Sequence, residues 1–243
     1  MPEGPSIVIL KELVQPFAHK KVLGVTGNSK VDIARAKGKV IRDFKSWGKH
    51  FLICFDGFTI KIHFMLFGSY RINEDREVAP RLSLEFQKGK LNFYACSVKI
   101  LEEDLDTVYD WSIDVMSDTW NAKAAKKKLL HAPNMLACDA LLDQDIFAGS
   151  GNIIKNEVLF RIKVHPCSHV GALPTKKFNE MIKEVRNYSF QFLVWKKAFV
   201  LKKHWLAHTK RTCPRCKIPL TKEYLGKHPR RTFFCANCQK LYE

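Results

Sequence analysis

Apolar positions near the start of the chain follow a helical period. Between residues 5 and 18 they recur every three or four positions, at Ile7, Leu10, Val14 and Phe17. This spacing predicts an amphipathic helix. The prolines that precede it stand where the first turn of a helix tolerates proline.

Farther along, apolar and polar residues alternate, which is typical of half-buried strands. Apolar segments flank Asp56-Gly57 and Lys88-Gly89, and dipeptides of this kind close two-residue hairpin turns. We therefore predict two β-hairpins and a largely β region over residues 20–101. From residue 122 to about 206 the pattern is helical again.

Charge changes the picture most. The 243 residues include 41 Lys and Arg against 24 Asp and Glu, a formal net charge of +17. Residues 1–115 hold 17 basic and 15 acidic side chains, whereas residues 116–243 hold 24 and 9. A half this basic favours a polyanionic partner through counterion release. Charge alone leaves nucleic acid, the ribosome and an anionic membrane open.

The sequence contains no run of 18 apolar residues, so no ordinary transmembrane helix and no membrane partner are expected. The first five residues lack the basic and apolar regions of a signal peptide. The expected location is therefore cytoplasmic.

Four of the eight cysteines form two close pairs near the end of the chain: Cys213, Cys216, Cys235 and Cys238. The spacing C-x2-C-x18-C-x2-C fits a zinc ribbon, in which each pair presents two thiolates to one tetrahedral ion. Paired cysteines in a cytosolic chain indicate metal rather than disulfides. Because every ligand is a cysteine, we expect one structural Zn²⁺ with no position open to a substrate.

A glycine-rich turn separates two helical segments around residue 150. Gly149 and Gly151 permit a tight double turn, and Asn152 is predicted to cap the following helix. The N–H groups at such a helix start suit a phosphate. A purely structural corner between two helices explains the same pattern about equally well.

The first residues, Met1-Pro2-Glu3, allow two interpretations: a reactive N-terminal amine or an ordinary start of the chain. Removal of Met1 leaves a secondary amine on Pro2, and an α-amino group has a pKa of about 7.7–8.0 against about 10.4 for lysine. Attack of this amine on a sugar carbon gives an iminium ion, which is an electron sink. Glu3 stands beside it as a candidate proton shuttle. By itself, Met-Pro-Glu is more simply an ordinary start.

These three signals occur together and in one order, and the chain resembles the bacterial DNA glycosylase/AP lyases that comprise formamidopyrimidine-DNA glycosylase and endonuclease VIII. The start Pro2-Glu3-Gly4-Pro5 is similar to the endonuclease VIII branch. Further segments match the family. They are Leu141-Leu142-Asp143-Gln144, Ala148-Gly149-Ser150-Gly151-Asn152-Ile153, Asn156-Glu157-Val158-Leu159-Phe160-Arg161, His165-Pro166, and Arg230 to Gln239. The resemblance spans nearly the whole chain.

The resemblance implies an α+β multidomain fold. We expect an N-terminal two-sheet β-sandwich with a leading helix over residues 1–115, which is the catalytic domain. A DNA-binding helix–two-turns–helix domain over residues 116–206 and a zinc ribbon over residues 207–243 complete it. It also implies a monomer associated with the bacterial nucleoid.

It further implies roles for particular residues. Pro2 is the expected nucleophile and Glu3 its general acid/base partner. Lys49 is the expected catalytic lysine that contacts the phosphate near the lesion and assists elimination. The residues expected to bind DNA are His63, Met65, Leu66, Phe67, Asn152, Arg230 and Arg231. Among these, Leu66 matches the principal wedge that fills the gap left by the flipped base. Arg231 is the fallback for the phosphate-gripping Arg230, and His63 fits a packing role equally well.

The implied function is a bifunctional glycosylase/AP lyase of base excision repair that acts on damaged double-stranded DNA and ends in β,δ-elimination. A short segment where the formamidopyrimidine branch has its loop over oxidised purines favours oxidised pyrimidines. The alternatives are a formamidopyrimidine/8-oxoguanine glycosylase, a non-catalytic DNA-binding protein and, more distantly, a ribosome-associated ribbon protein. Two departures matter: Ser6 replaces the family's usual glutamate, and residues 195–205 match no well-known member.

Overall fold

A computed structural model describes residues 2–243, and the chain divides into two compact units, Met1–Asp110 and Trp111–Glu243. The sequence placed the first boundary after residue 115 and expected a separate ribbon domain; that three-part division stays a prediction. No helix within residues 2–243 combines the length and apolar character needed to cross a bilayer.

The first unit is mainly β, as predicted. Its elements are α1 (Gly4–Leu13), β1 (Gly24–Thr26), β2 (Asp43–Trp47), β3 (His50–Cys54), β4 (Thr59–Ile72), β5 (Leu82–Phe86), β6 (Gly89–Leu101) and α2 (Leu105–Val108). The predicted helix is confirmed but ends at Leu13 and continues as a 3-10 turn, Gln15–Phe17. Pro16 explains the change, because it has no N–H to continue the α-helical hydrogen bonds.

The strands are antiparallel and lie in the order β1-β5-β6-β4-β3-β2. Both hairpins are confirmed. Cys54 pairs with Thr59 around Asp56-Gly57. In the second hairpin Phe86 pairs with Gly89, so the turn falls one residue earlier than predicted and Gly89 opens β6 with a φ of 104°.

The expected β-sandwich forms from one continuous ladder. The start of β4 pairs with β3 and with the end of β6, whereas its end, Ser69–Ile72, pairs with the start of β6. The register breaks between Phe64 and Ser69. Side chains from both parts of the ladder, including Phe51 and Phe93, share one buried core with α1. The interruption in β4 is therefore where the sheet changes from one layer to the other.

The second unit is helical with a small hairpin. Its elements are α3 (Ala122–Leu130), α4 (Ala137–Ala140), α5 (Asn152–Arg161), α6 (Thr175–Lys197), β7 (Thr221–Leu225) and β8 (Arg230–Phe234). The helices enclose a core that includes Phe147, Leu159 and Tyr188. The hairpin β7-β8 lies between the two cysteine pairs, as the ribbon pattern predicted.

Candidate functional site

The start of α1 holds a buried acid. Glu3 precedes the helix in extended backbone (φ −110°, ψ 170°), and its side chain is only 2% exposed. Its carbonyl oxygen accepts a hydrogen bond from the N–H of Ser6 at 2.8 Å. Gly4 and Pro5 are also buried, so the chain next to Pro2 is packed into the protein, and the half-buried Pro2 lies beside Glu3 in the chain. A negative charge at a helix N-terminus is favoured by the helix dipole.

Lys49 lies in a two-residue turn between β2 and β3. Trp47 pairs with His50 across this turn, and Gly48 adopts the positive φ (54°) that closes it. Helix α1 packs against both β2 and β3. The first unit thus places the start of α1 and the Lys49 turn on neighbouring elements.

Two histidines and a tyrosine lie behind Lys49. The hydroxyl of Tyr109 is 3.2 Å from Nδ1 of His50, and the His50 ring contacts the ring of His63 edge-on at 5.2 Å. Burial lowers the pKa of His50 to about 3 and raises the pKa of Tyr109. Both groups are therefore neutral near pH 7, and one hydrogen bond joins the hydroxyl to the imidazole.

His63 is held by the Lys49 turn. Its Nδ1 lies 3.2 Å from the carbonyl oxygen of Lys49, so this nitrogen carries the proton and donates. Burial lowers the pKa of His63, which keeps the ring neutral near pH 7. A neutral ring bonded in this way supports the backbone of Lys49. Its other nitrogen, Nε2, carries a lone pair and no proton, so it has no hydrogen to donate to a phosphate.

Met65, Leu66 and Phe67 protrude from the interruption in β4. Their side chains are 54%, 63% and 82% exposed, unlike the buried Phe64 that precedes them. Gly68 closes the bulge, where an added Cβ would lie 2.7 Å from Cβ of Phe64 and 2.9 Å from the carbonyl oxygen of Ala95. Only glycine therefore permits this close approach, which presents three apolar side chains to solvent.

Asn152 lies at the start of α5, as predicted, but it does not cap the helix. Gly151 is the N-cap, and Asn152 is the first helical residue. Nδ2 of Asn152 donates to the carbonyl oxygen of Arg231 at 2.9 Å, so the amide joins α5 to β8 instead of capping its own helix. The hydroxyl of Ser150 is fully buried and has no hydrogen-bond partner among residues 2–243.

Three consecutive polar residues of α5 are buried, and the sequence did not predict their burial. Nζ of Lys155 donates to Oγ1 of Thr232 at 2.7 Å, and Oδ1 of Asn156 accepts from the N–H of Phe233 at 3.3 Å. The carboxylate of Glu157 accepts from the N–H groups of residues 206–208. The contacts of Lys155 and Asn156 fix β8, and with it the exposed Arg230 and Arg231, whereas Glu157 fixes residues 206–208. The only signal in the sequence was a polar triplet interrupting a helix that is otherwise rich in apolar residues.

The four ribbon cysteines come together, as predicted. The sulfur atoms of Cys213, Cys216, Cys235 and Cys238 all lie within 4.8 Å of one another. Sγ of Cys213 and Sγ of Cys238 are 3.8 Å apart, close to the sulfur–sulfur distance of about 3.8 Å that tetrahedral bonds of about 2.3 Å impose. None of the eight cysteines, all of which lie within residues 2–243, forms a disulfide. This set can hold one metal ion.

Two family models match the chain. The formamidopyrimidine-DNA glycosylase N-terminal domain matches residues 1–97, and the formamidopyrimidine-DNA glycosylase H2TH domain matches residues 112–190. The H2TH match includes the double turn at residue 150 and ends within α6. Together they cover most of the first unit and the second unit as far as residue 190.

Curated relatives carry related names. Endonuclease 8-like 3 of Xenopus laevis is 29% identical over 98% of this chain and 41% of its own length. Endonuclease 8-like 2 of Bos taurus is 31% identical over 74% of this chain and 58% of its own length. DNA-(apurinic or apyrimidinic site) lyase Nei2 of Mycolicibacterium smegmatis is 27% identical over 71% of each. The chain spans about two fifths of the length of the first curated relatives it matches.

Solved structures share the fold. A viral DNA glycosylase superposes with a TM-score of 0.84 at 18% identity, covering 98% of this chain and all of the other. Lactococcus lactis formamidopyrimidine-DNA glycosylase, bound to DNA containing an AP site, gives 0.86 at 20% identity over 98% of this chain and 99% of the other. The two family models and these relatives place the chain in the family of formamidopyrimidine-DNA glycosylase and endonuclease VIII, to which it belongs.

Proposed function

We propose that this protein is a bifunctional DNA glycosylase and AP lyase that removes oxidised bases from double-stranded DNA. The observation that carries the proposal is the buried carboxylate of Glu3 directly beside Pro2, at the start of a helix packed on the strands that Lys49 joins. A nucleophile and an acid/base group must lie within reach of one sugar. Relatives named endonuclease 8-like and AP lyase support the reaction class.

The reaction starts at the Pro2 amine, which must be free of Met1. Its nitrogen attacks C1′ of the damaged nucleotide, and the base leaves with its bonding electrons and a proton supplied by the acid/base group. The nitrogen gives up its proton, and its lone pair then forms an iminium ion as the C1′–O4′ bond breaks and the ring oxygen takes up a proton. Loss of the C2′ proton expels the 3′ phosphate, and a second elimination expels the 5′ phosphate. Water finally releases the sugar fragment from Pro2.

The remaining predicted residues are assigned to DNA. Arg230, Arg231 and the start of α5 are proposed to hold phosphates, since helix N-termini and arginines bind anions. The unpartnered hydroxyl of Ser150 supports a ligand there. Met65, Leu66 and Phe67 are proposed to fill the stack after base flipping, because exposed apolar wedges offset the cost of unstacking.

We propose Zn²⁺ as the ion of the four-cysteine cluster. Soft thiolates in a tetrahedral set select zinc over harder cations. The ion would hold β7-β8 in place; it takes no part in the reaction, because four sulfur ligands leave no open position. Oxidised pyrimidines are the favoured lesions, since the chain has only a short segment where the formamidopyrimidine branch has its loop over oxidised purines.

The test is borohydride trapping on labelled duplexes that each contain one oxidised pyrimidine, one oxidised purine or an abasic site. Intact mass first establishes that Met1 has been removed. A covalent adduct on the abasic and pyrimidine duplexes is expected, and Pro2→Gly with Glu3→Gln should abolish it. Full trapping by this variant would refute the role of Pro2. Tight binding without any adduct would instead indicate a non-catalytic DNA-binding protein.

A further inference from the structure

The solvent face of α6 carries an ordered stripe of its own. Opposite the buried residues of this helix lie Lys183, Arg186, Phe190, Val194 and Lys197, spaced three or four positions apart. This spacing places all five on one side of the helix. Phe190 is 38% exposed and Val194 is 63% exposed, and the guanidinium of Arg186 lies 5.0 Å from the centre of the Phe190 ring.

Phe199 extends this stripe past the end of the helix. Its N–H donates to the carbonyl oxygen of Lys196 at 3.1 Å, and its backbone adopts a left-handed conformation with φ of 58°. Glycine or asparagine occupies this position at less cost. The Phe199 side chain is nevertheless 95% exposed. The left-handed backbone closes the helix, because the N–H of Val200 donates to the carbonyl oxygen of Trp195 at 2.9 Å. The cap needs no large side chain, so the exposed aromatic ring is available to a partner.

Contacts with the rest of the second unit hold the segment around Phe199 in place. The Trp195 ring stacks on His204 with ring centres 4.2 Å apart and planes 5° from parallel. Leu201 is buried in the core of the second unit. Phe199 and the exposed Lys196, Lys197, Lys202 and Lys203 therefore project from an ordered support.

Charge identifies the class of partner. Residues 185–222 contain ten lysines and arginines and no aspartate or glutamate. An apolar stripe within such a region fits a polyanion that also has flat apolar faces. Unpaired bases offer those faces, whereas the bases of a duplex are covered by their neighbours.

We propose that this α6 surface, formed by Phe190, Val194, Phe199 and the lysines at 196, 197, 202 and 203, binds single-stranded DNA. Bases stack on Phe199, while Phe190 and Val194 give apolar contact beside it, and the lysines contact the phosphates. None of the residues assigned to the reaction takes part, so this surface is separate from the proposed chemistry and can fail independently of it.

The experiment measures binding of the full chain to an undamaged, fluorescently labelled oligo(dT) of about 15 nucleotides, within the usual site size. Phe199→Ala should weaken binding about fivefold or more, and Phe199→Trp should restore it. Replacing the four lysines with glutamine should reduce the slope of log K against log salt by up to about 3. Phe199→Gly should weaken binding while raising the thermal unfolding midpoint, because it relieves the left-handed strain.

Matched controls separate this surface from general effects. Tyr224→Ala removes another exposed aromatic, and Lys20→Gln with Lys21→Gln removes exposed charges of the first unit. These variants should bind oligo(dT) as the unmodified protein does. The proposal is overturned if Phe199→Ala binds normally, if the controls lose as much, or if equal losses occur on intact duplex. A change of oligomeric state in Phe199→Ala would instead assign the surface to self-association and also overturn it. Borohydride trapping of the same variants on an abasic duplex tests the proposed chemistry separately.

Discussion

Oε1 of Glu157 accepts a hydrogen bond of 2.8 Å from the backbone N–H of His208, 51 positions farther along the chain. The same carboxylate accepts from Leu206 and Ala207, and it is fully buried. A buried carboxylate is tolerated when backbone donors replace the water it has lost. Glu157 thus fixes the backbone that leads from α6 to the first cysteine pair.

Glu157→Gln exchanges a single atom of the side-chain terminus, yet it should strongly lower the free energy of unfolding. The substitution turns one acceptor oxygen into a donor that faces backbone donors, leaving buried N–H groups unpaired. The expected loss is about 2–3 kcal/mol in the free energy of unfolding, measured in urea. Glu180→Gln, which affects only the ion pair with Lys177, is the control and should cost under about 1 kcal/mol. Equal losses in the two variants would contradict the role given to Glu157.

Gly68→Ala should distort the bulge in β4. An added Cβ would meet Cβ of Phe64 at 2.7 Å and the carbonyl oxygen of Ala95 at 2.9 Å, and neither neighbour is the far end of a flexible side chain. We expect a loss of about 1–3 kcal/mol in stability. Gly38→Asn is a suitable comparison, because a Cβ there has open space and asparagine tolerates positive φ. A stable Gly68→Ala protein with an unchanged bulge would show that the backbone yields more easily than its contacts indicate.

Leu66→Ala and Phe67→Ala should separate activity from stability. Both side chains are largely exposed, so the thermal unfolding midpoint should stay the same. If they support the flipped state, excision of an oxidised base from a duplex should fall by tenfold or more, because unstacking costs a few kcal/mol. Cleavage at an abasic site in single-stranded DNA should change little, since no stacked base must be displaced. Leu13→Ala, another exposed apolar truncation, should leave excision unchanged. Normal duplex excision by both wedge variants would remove these residues from the site.

The sequence predicted the elements that a local pattern specifies. Helix α1 was identified because one face is buried, and the first hairpin because Asp56-Gly57 fits its turn. The cysteine cluster followed from spacing alone. The pattern failed where partners are distant: Asn152 looked like a cap, yet its amide is bound by a carbonyl of β8, 79 positions away. The burial of Glu157 was not predicted, because its donors belong to a segment with no distinctive sequence.

Loss of the proposed zinc should unfold the ribbon without unfolding the first unit. Cys235→Ser removes one of four thiolates and should lower the bound zinc from one ion per chain to a small fraction, measured by metal analysis. Because β8 carries Arg230 and Arg231, affinity for duplex DNA should fall in the same variant. Cys54→Ser, which lies outside the cluster, should keep both. Full zinc content in Cys235→Ser would mean that the cluster is not the binding site.

Stability should fall on acidification partly because of His50. Its pKa is lowered from 6.5 to about 3 in the folded protein, chiefly by burial. Between pH 6.5 and pH 3 the His50 imidazole is protonated in the unfolded chain but not in the folded chain. Protonation of His50 therefore costs no stability above about pH 6.5, and it lowers the free energy of unfolding increasingly as the pH falls toward 3. From pH 7 to pH 5 this group contributes a loss of at most about 2 kcal/mol.

His50→Asn tests this contribution, because an asparagine amide can form a hydrogen bond with the Tyr109 hydroxyl and does not titrate. Urea unfolding at pH 7 and pH 5 should show a smaller decrease for the variant than for the unmodified protein. His19→Asn, an exposed histidine of the same unit, should leave the decrease unchanged. The NMR signal of the His50 ring should stay in its neutral form down to about pH 4. A His50 midpoint near 6.5 would show that Tyr109 and the surrounding rings do not keep water from this imidazole.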